Sequence, residues 1–274
     1  MMSFKLSLKQ DGVFGTLSRT KLLLYFLLVS NFLTPLTGAL NMKAALIVVD
    51  MQEDFCPPNG SLAVQSARDL APTINSLLAH PGFAARVASQ DWHPRDHISF
   101  ASNHPPPNNR PFESSITMTN PAPGKESETK QQVLWPVHCV QKTPGAEIIP
   151  EIDTTKIDLF VKKGMDWRVE MYSAFTDSFG NHDPAIVSTD TSLQAYLTDK
   201  GITDVFVVGV AGDYCVKHTA LDATTAGFRS HVVKDATECV VPGSGWEETA
   251  RELAAAGVSV VRSDGPEIAG LVNF

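Results

Sequence analysis

A doubly wound α/β fold with a mostly parallel sheet is the class this sequence predicts, and three observations carry the prediction. Short apolar runs without alternation recur along the chain, stretches of helical spacing separate them, and glycines stand where those helices should end. A strand covered by helices on both faces reads as a continuous apolar run, whereas a half-exposed strand alternates. The predicted strands are Ala44–Val49, Arg86–Ser89, Leu159–Lys162, Val205–Val210, Ser230–Val233 and Val258–Val261. Helical spacing covers Ala67–Leu78, Ser192–Lys200, Val216–Ala226 and Trp246–Ala256, with Gly201, Gly227 and Gly257 as C-terminal caps. Strand and helix in alternation make a single three-layer domain.

Composition removes several other classes. The chain has 274 residues, 43% hydrophobic and 19% charged, enough apolar material for a core that needs no disulfide or metal to fold. Its 22 Lys and Arg face 30 Asp and Glu, a net charge of −8 with no basic run longer than two residues. That balance argues against a nucleic-acid partner and against an anionic membrane surface. Four scattered cysteines are too few for a disulfide scaffold.

Two segments stand apart from the α/β pattern. Residues 1–41 are an N-terminal extension in which Leu22–Leu40 is signal-like: a wholly apolar run from Leu22 to Val29 follows Lys5, Lys9, Arg19 and Lys21. Ser30, Asn31, Thr34 and Pro35 interrupt it, leaving less than the roughly 20 residues of a membrane span. The domain is expected over residues 42–274. Within it, residues 103–132 read as a long surface insertion, with Pro105-Pro106-Pro107, Pro111, Pro121 and Pro123 and a polar finish from Lys125 to Gln132.

In an open parallel sheet, ligands bind outside the carboxyl ends of the strands, and polar residues crowd there in this sequence. Strand one ends in Asp50; the second runs into Asp91-Trp92-His93; the third ends in Lys162 and Lys163; the fourth leads through Gly209–Gly212 to Cys215 at a helix start. A cysteine so placed feels the helix dipole and unpaired N–H groups, which favour a nucleophilic thiolate and can hold an oxyanion. Cys56, Cys139 and Cys239 lack that setting and read as buried structural cysteines. Asp50 with a lysine from the neighbouring strand end supplies a base and a cation for the thiol. Asp91 and His93, at i and i+2, face one side of an extended strand and suit zinc, iron or manganese. A third ligand is available from His138, His97 or His104.

Taken together and in order, these motifs resemble the nicotinamidases of the isochorismatase-like cysteine hydrolase superfamily. The resemblance rests on Leu46–Phe55 (LIVVDMQEDF), Asp91–Phe100 (DWHPRDHISF), Trp135–Val140 (WPVHCV), Lys163-Gly164, Tyr172–Phe175 (YSAF), Val208–Val216 (VGVAGDYCV) and Lys234-Asp235-Ala236. It implies a catalytic triad of Asp50, Lys163 and Cys215, the lysine chosen because the family lysine precedes glycine. It implies metal ligands Asp91, His93 and His138, with His97 ranked below them and zinc ahead of iron or manganese. An aromatic clamp of Phe55, Trp135 and Tyr172 follows from it, as does an oxyanion hole at the backbone N–H groups of Ala211 and Cys215, with a cis bond between Val210 and Ala211.

The implied reaction is hydrolysis of nicotinamide to nicotinate and ammonia through a thioester, in NAD salvage. Isochorismate hydrolases lack the cysteine, and amidohydrolases of carbamoyl or ureido groups keep the triad without the metal set, so Cys215 and the Asp91, His93, His138 group count against each in turn. A non-catalytic ligand-binding homologue is the alternative from another class. The expected partner is the small-molecule substrate, with homo-oligomerisation left open. A reactive thiol favours an intracellular enzyme, while the signal-like segment keeps the secretory pathway open. Neither the extension nor the insertion holds a motif residue, so both are expected to bear on localisation and assembly rather than on chemistry.

Overall fold

The computed structural model describes residues 42–181 and 185–272; the signal-like segment lies outside the described residues. Eight strands occur among them: β1 Ala44–Val49, β2 Phe83–Asp91, β3 Ser115–Thr119, β4 Thr129–Val133, β5 Leu159–Lys163, β6 Asp204–Val210, β7 Arg229–Glu238 and β8 Ser259–Val261. The α-helices are α1 Ala71–Ala79, α2 Leu193–Asp199, α3 Lys217–Thr225, α4 Ser244–Ala255 and the single turn α5 Pro266–Ala269. Six strands form one sheet in the order β5-β2-β1-β6-β7-β8, every neighbouring pair parallel. The α/β doubly wound reading holds, and each predicted strand and helix is present with its ends moved by a few residues.

Strand β1 shows why the apolar runs do not alternate. All six of its residues are buried, because the pleat sends Ala44, Leu46 and Val48 into one core and Ala45, Ile47 and Val49 into the other. Ile74, Leu77 and Leu78 of α1 and Ile268 of α5 complete the first core. Leu193 and Leu197 of α2, Ala220 and Ala223 of α3 and Leu253 of α4 complete the second. Two helical layers with the sheet between them are the three layers expected. The described helices include none long and apolar enough to cross a membrane.

Residues 103–132 depart from the sequence reading in one respect. They contain most of an antiparallel hairpin, β3 with β4, registered Ile116 to Gln132 and Met118 to Lys130. The strands are polar because only one position on each is fully covered, Met118 on β3 and Gln132 on β4. Met118 joins Ala122, Val169 and Ile186 in a small third cluster. Too little apolar alternation was present to predict these strands.

Chain direction places the site. From β1 the sheet grows outward through β2 to β5, and from β6 it grows the other way through β7 to β8. The boundary between β1 and β6 is therefore the topological switch point, where the connections diverge and leave a crevice. At the opposite end of β6, Asp204 is fully buried and accepts two hydrogen bonds from Arg229 (2.7 and 2.6 Å) and one from Thr203 Oγ1 (2.5 Å). Burial alone would raise its carboxyl, but hydrogen bonds from His231, Arg229 and Thr203 outweigh it and bring the pKa down from 3.8 to about 2. A depressed carboxyl stabilises the fold above its unfolded pKa and ceases to do so as the pH falls through the folded value. Asp204→Asn should cost about 2 kcal/mol in urea denaturation at neutral pH, and the gap between parent and variant should close between about pH 4 and pH 2.

Candidate active site

Four strand ends converge at the switch point. Asp50 follows β1 with a positive φ of 50°, which turns the chain sharply; its carboxylate accepts a hydrogen bond from Ser89 Oγ at 2.7 Å. Asp91 ends β2 and stands opposite Lys163 at the end of β5 in the parallel register. Lys163 is fully buried, whereas Lys162 lies over the Trp92 ring, 4.1 Å from its centroid. The lysine before glycine is thus the one that enters the site. Its Nζ lies 2.9 Å from Asp50 Oδ2, 2.5 Å from Asp91 Oδ1 and 3.5 Å from Cys215 Sγ. Burial works against that ammonium, but Asp50 and Asp91 carry its pKa well above the ordinary lysine range, so the lysine stays charged.

Cys215 sits in a π-helical turn, Gly212–Val216, that precedes α3, one turn earlier than a position inside the helix proper. The Ala211 carbonyl caps this turn, accepting from the N–H groups of Tyr214 and Val216 at 3.0 and 3.1 Å. The Val210–Ala211 bond is cis, as expected. Gly209 has a φ of 107°, and a Cβ there would stand 2.1 Å from the Val49 carbonyl oxygen, so the β1 and β6 ends can close on each other only with glycine at that position. Burial pushes the Cys215 thiol well above its ordinary range; Lys163 opposes this, and Asp50 and Asp91 reinforce it. The cysteine rests as a thiol beside a base. Burial likewise raises Asp50, to about 6, against the pull of Lys163.

On the far side of Asp91 stand the histidines. His93 Nδ1 and His138 Nδ1 each lie 2.8 Å from a backbone carbonyl, of Gly164 and Pro136. A carbonyl only accepts, so both rings carry hydrogen at Nδ1, and in the neutral form Nε2 is the free lone pair. Those two nitrogens face Asp91 Oδ2 at 3.4 and 3.8 Å, and His93 Nε2 is buried without a hydrogen-bond partner. With both imidazoles neutral, three lone pairs converge there, an arrangement a divalent cation completes. Asp91, His93 and His138 are accordingly a group that could hold a metal. Burial and His93 push His138 down to about 4, the neutral form a ligand needs. His97 stacks on His93, but its nitrogens lie 2.8 Å from Ser99 Oγ and 3.2 Å from the Val169 carbonyl, so it supports the group from behind. His104 is engaged with the Ile98 carbonyl at 2.7 Å.

Phe55, Trp135 and Tyr172 line one narrow pocket with Asp91, His138, Ala211 and Cys215, about 30 Å³ in free volume. The two residues expected to form the oxyanion hole therefore share a wall with the clamp. Several participants were not assigned from sequence. Tyr214 closes the pocket edge-on to Trp135, ring centroids 5.0 Å apart. Glu170, buried and raised by burial, lines it as well. Gln52 clasps the Asp91 backbone through two 2.8 Å hydrogen bonds, and Asp54 accepts from the Cys139 N–H at 2.7 Å, fixing the residue after His138. Gln52, Asp54 and Tyr214 stood inside quoted motifs, which was their only signal. The insertion reaches the pocket wall: Gln132 donates a 2.7 Å hydrogen bond to the Tyr172 hydroxyl.

Comparison with known proteins gives a consistent result. The isochorismatase domain model matches residues 44–264. The nicotinamidase of Acinetobacter baylyi is 40% identical over 221 residues, covering 81% of this chain and 93% of that protein. The structure of the yeast nicotinamidase bound to the inhibitor nicotinaldehyde superposes with a TM-score of 0.72 at 36% identity, over 80% of this chain and 99% of that one. The pyrazinamidase of Pyrococcus horikoshii in complex with zinc gives 0.60 at 32% identity, over 80% and 99%.

Gly164 supplies the test of the histidine geometry. It has a φ of 66°, its carbonyl holds His93, and a Cβ there would stand 2.3 Å from the His93 ring. Gly164→Ala should lower zinc affinity about 10- to 100-fold while circular dichroism stays that of the parent. Competition with a chromogenic chelator measures it, and parental affinity in the variant would contradict the ligand assignment.

Proposed function

The chain belongs to the isochorismatase family and is a hydrolase acting on an amide bond; from that premise we propose that the amide is nicotinamide, converted to nicotinate and ammonia through a thioester on Cys215. The observation that carries the reading is the meeting of a thiol, a buried ammonium and a raised carboxylate at the foot of an aromatic pocket. The nicotinamidases among its relatives support the substrate.

The residues would act as follows. Asp50 accepts the Cys215 proton as sulfur attacks the amide carbon, and Lys163 offsets the negative charge on both. The oxygen of the tetrahedral intermediate lies toward the N–H groups of Ala211 and Cys215. Collapse expels nitrogen, which takes the proton from Asp50 and leaves as ammonia. Asp50 then draws a proton from water, the resulting hydroxide attacks the thioester, and that proton returns to sulfur as nicotinate departs. Water consumed, ammonia released and the carboxyl proton passed to ammonia or solvent balance the reaction. Phe55, Trp135, Tyr172 and Tyr214 flank the ring and keep bulk water off the thioester.

Asp91, His93 and His138 would hold a divalent metal, for which zinc is the first choice, as in the related pyrazinamidase complex. When bound, it supplies a Lewis-acid site for the pyridine nitrogen. All four cysteines are unpaired, which suits a reducing, intracellular compartment. A nicotinate-producing step there fits NAD salvage.

Ammonia release from nicotinamide tests the reading. Residues 42–274 should turn over; Cys215→Ala and Asp50→Asn should each lower kcat by about 10³-fold or more, and chelation should reduce activity that zinc restores. A folded, zinc-loaded parent that releases no ammonia would refute the substrate.

A further inference from the structure

Tyr172 stands between two cavities. It lines the narrow pocket with Cys215 and also an open cleft of about 430 Å³ bordered by Lys130, Thr176, Asp177, His218 and Asp222. Its ring packs against the second core and lies 5.5 Å from the Tyr214 ring, centroid to centroid. Its further supports are the His218 ring, 5.4 Å away and nearly parallel, and two hydrogen bonds that converge on its hydroxyl. Gln132 Nε2 donates one at 2.7 Å and Trp135 Nε1 the other at 3.1 Å. The hydroxyl thereby joins two walls of the clamp, Tyr172 and Trp135, through an indole N–H that points to it.

Gln132 is well placed to fix that junction. It is 2% exposed on the last strand of the hairpin, and its second N–H is committed to the Val133 carbonyl at 2.7 Å, which orients the amide. The hairpin itself is tied to the same segment. Met118 Sδ accepts from the Glu170 N–H at 3.2 Å and packs with Val169, and Lys130 bonds the Ser178 carbonyl while lying over the Phe179 ring. Phe112, in the turn before β3, packs edge-on against Trp135 with centroids 5.8 Å apart. Residues 103–132 thus meet both Trp135 and Tyr172.

We infer that the insertion is a positioning element of the reaction pocket, and that Gln132 sets the place of Tyr172, and so the width of the pocket for the substrate ring, through the tyrosine hydroxyl. The inference rests on the nicotinamide reading for its substrate. Gln132 touches no reacting atom, so it acts on ring binding more than on the chemical step. In a pocket this narrow, a small movement of one wall changes what fits.

The experiment is a double-mutant cycle of Gln132→Met and Tyr172→Phe on the zinc-loaded enzyme, read as KM and kcat for nicotinamide, with thermal unfolding confirming that each variant folds. Methionine keeps the length of glutamine without its N–H groups. Gln132→Met should raise KM about 5-fold, the value of one buried hydrogen bond, with kcat within about 2-fold. In the Tyr172→Phe background the same substitution should change KM by less than about 1.5-fold, because the acceptor is gone. An equal KM change in both backgrounds, or a fall in kcat alone, would overturn the positioning role while leaving the substrate reading intact. A parent that does not turn over nicotinamide would overturn the substrate reading and the positioning role with it.

Discussion

A single buried ammonium organises this site. Asp50 and Asp91 lie on adjacent strands, both carboxylates are out of water, and two such charges repel unless a cation stands with them. Lys163, delivered from the next strand out, touches both and also reaches the Cys215 sulfur. The ionisation of everything nearby follows from that geometry. Lys163 holds Asp91 below the usual carboxylate range against burial, and it pulls down an Asp50 that burial would otherwise raise further. The thiol, which meets the lysine at a longer distance, stays protonated. The result is a thiol and a carboxylate held together on one ammonium.

Backbone shape delivers these groups. Asp50 and Cys139 adopt positive φ as non-glycine residues, and Gly164 and Gly209 do so with glycine. Each lies where a chain leaves the sheet or passes beneath a functional side chain. Gly209 permits β1 and β6 to meet, and Gly164 leaves room for the His93 ring that its own carbonyl orients. The Asp91 carboxylate divides its oxygens between two tasks, one toward Lys163 and one toward the imidazoles. The amine chemistry and the metal group are therefore coupled through one side chain.

The aromatic pocket is built differently. Its inner wall comes from the sheet, but Trp135 and Tyr172 stand on loops, and loops need external bracing. Glu170, Tyr172 and Ser178 belong to a segment that the inserted hairpin grips through Met118, Gln132 and Lys130. A surface insertion so attached takes part in the wall of the site it borders.

How much of this was legible in the chain depends on the range of the interaction. The α/β class, the central strands and the helices were readable because burial on two faces imposes a local apolar pattern, as in AALIVV of β1. The strand-end groups were readable because parallel strands put their ends on one side, so Asp50, Asp91, Cys215 and the Lys162-Lys163 pair could be grouped from the sequence, and the family resemblance chose Lys163. The hairpin was not, since its strands are covered at single positions and carry almost no pattern. Nor was the hydrogen bond from Gln132 to Tyr172, forty residues along the chain. Sequence determined which chemical groups meet, because strand direction and periodicity are local properties. Tertiary structure alone decided their charges and bracing, because desolvation and side-chain contact depend on what the rest of the chain packs around them.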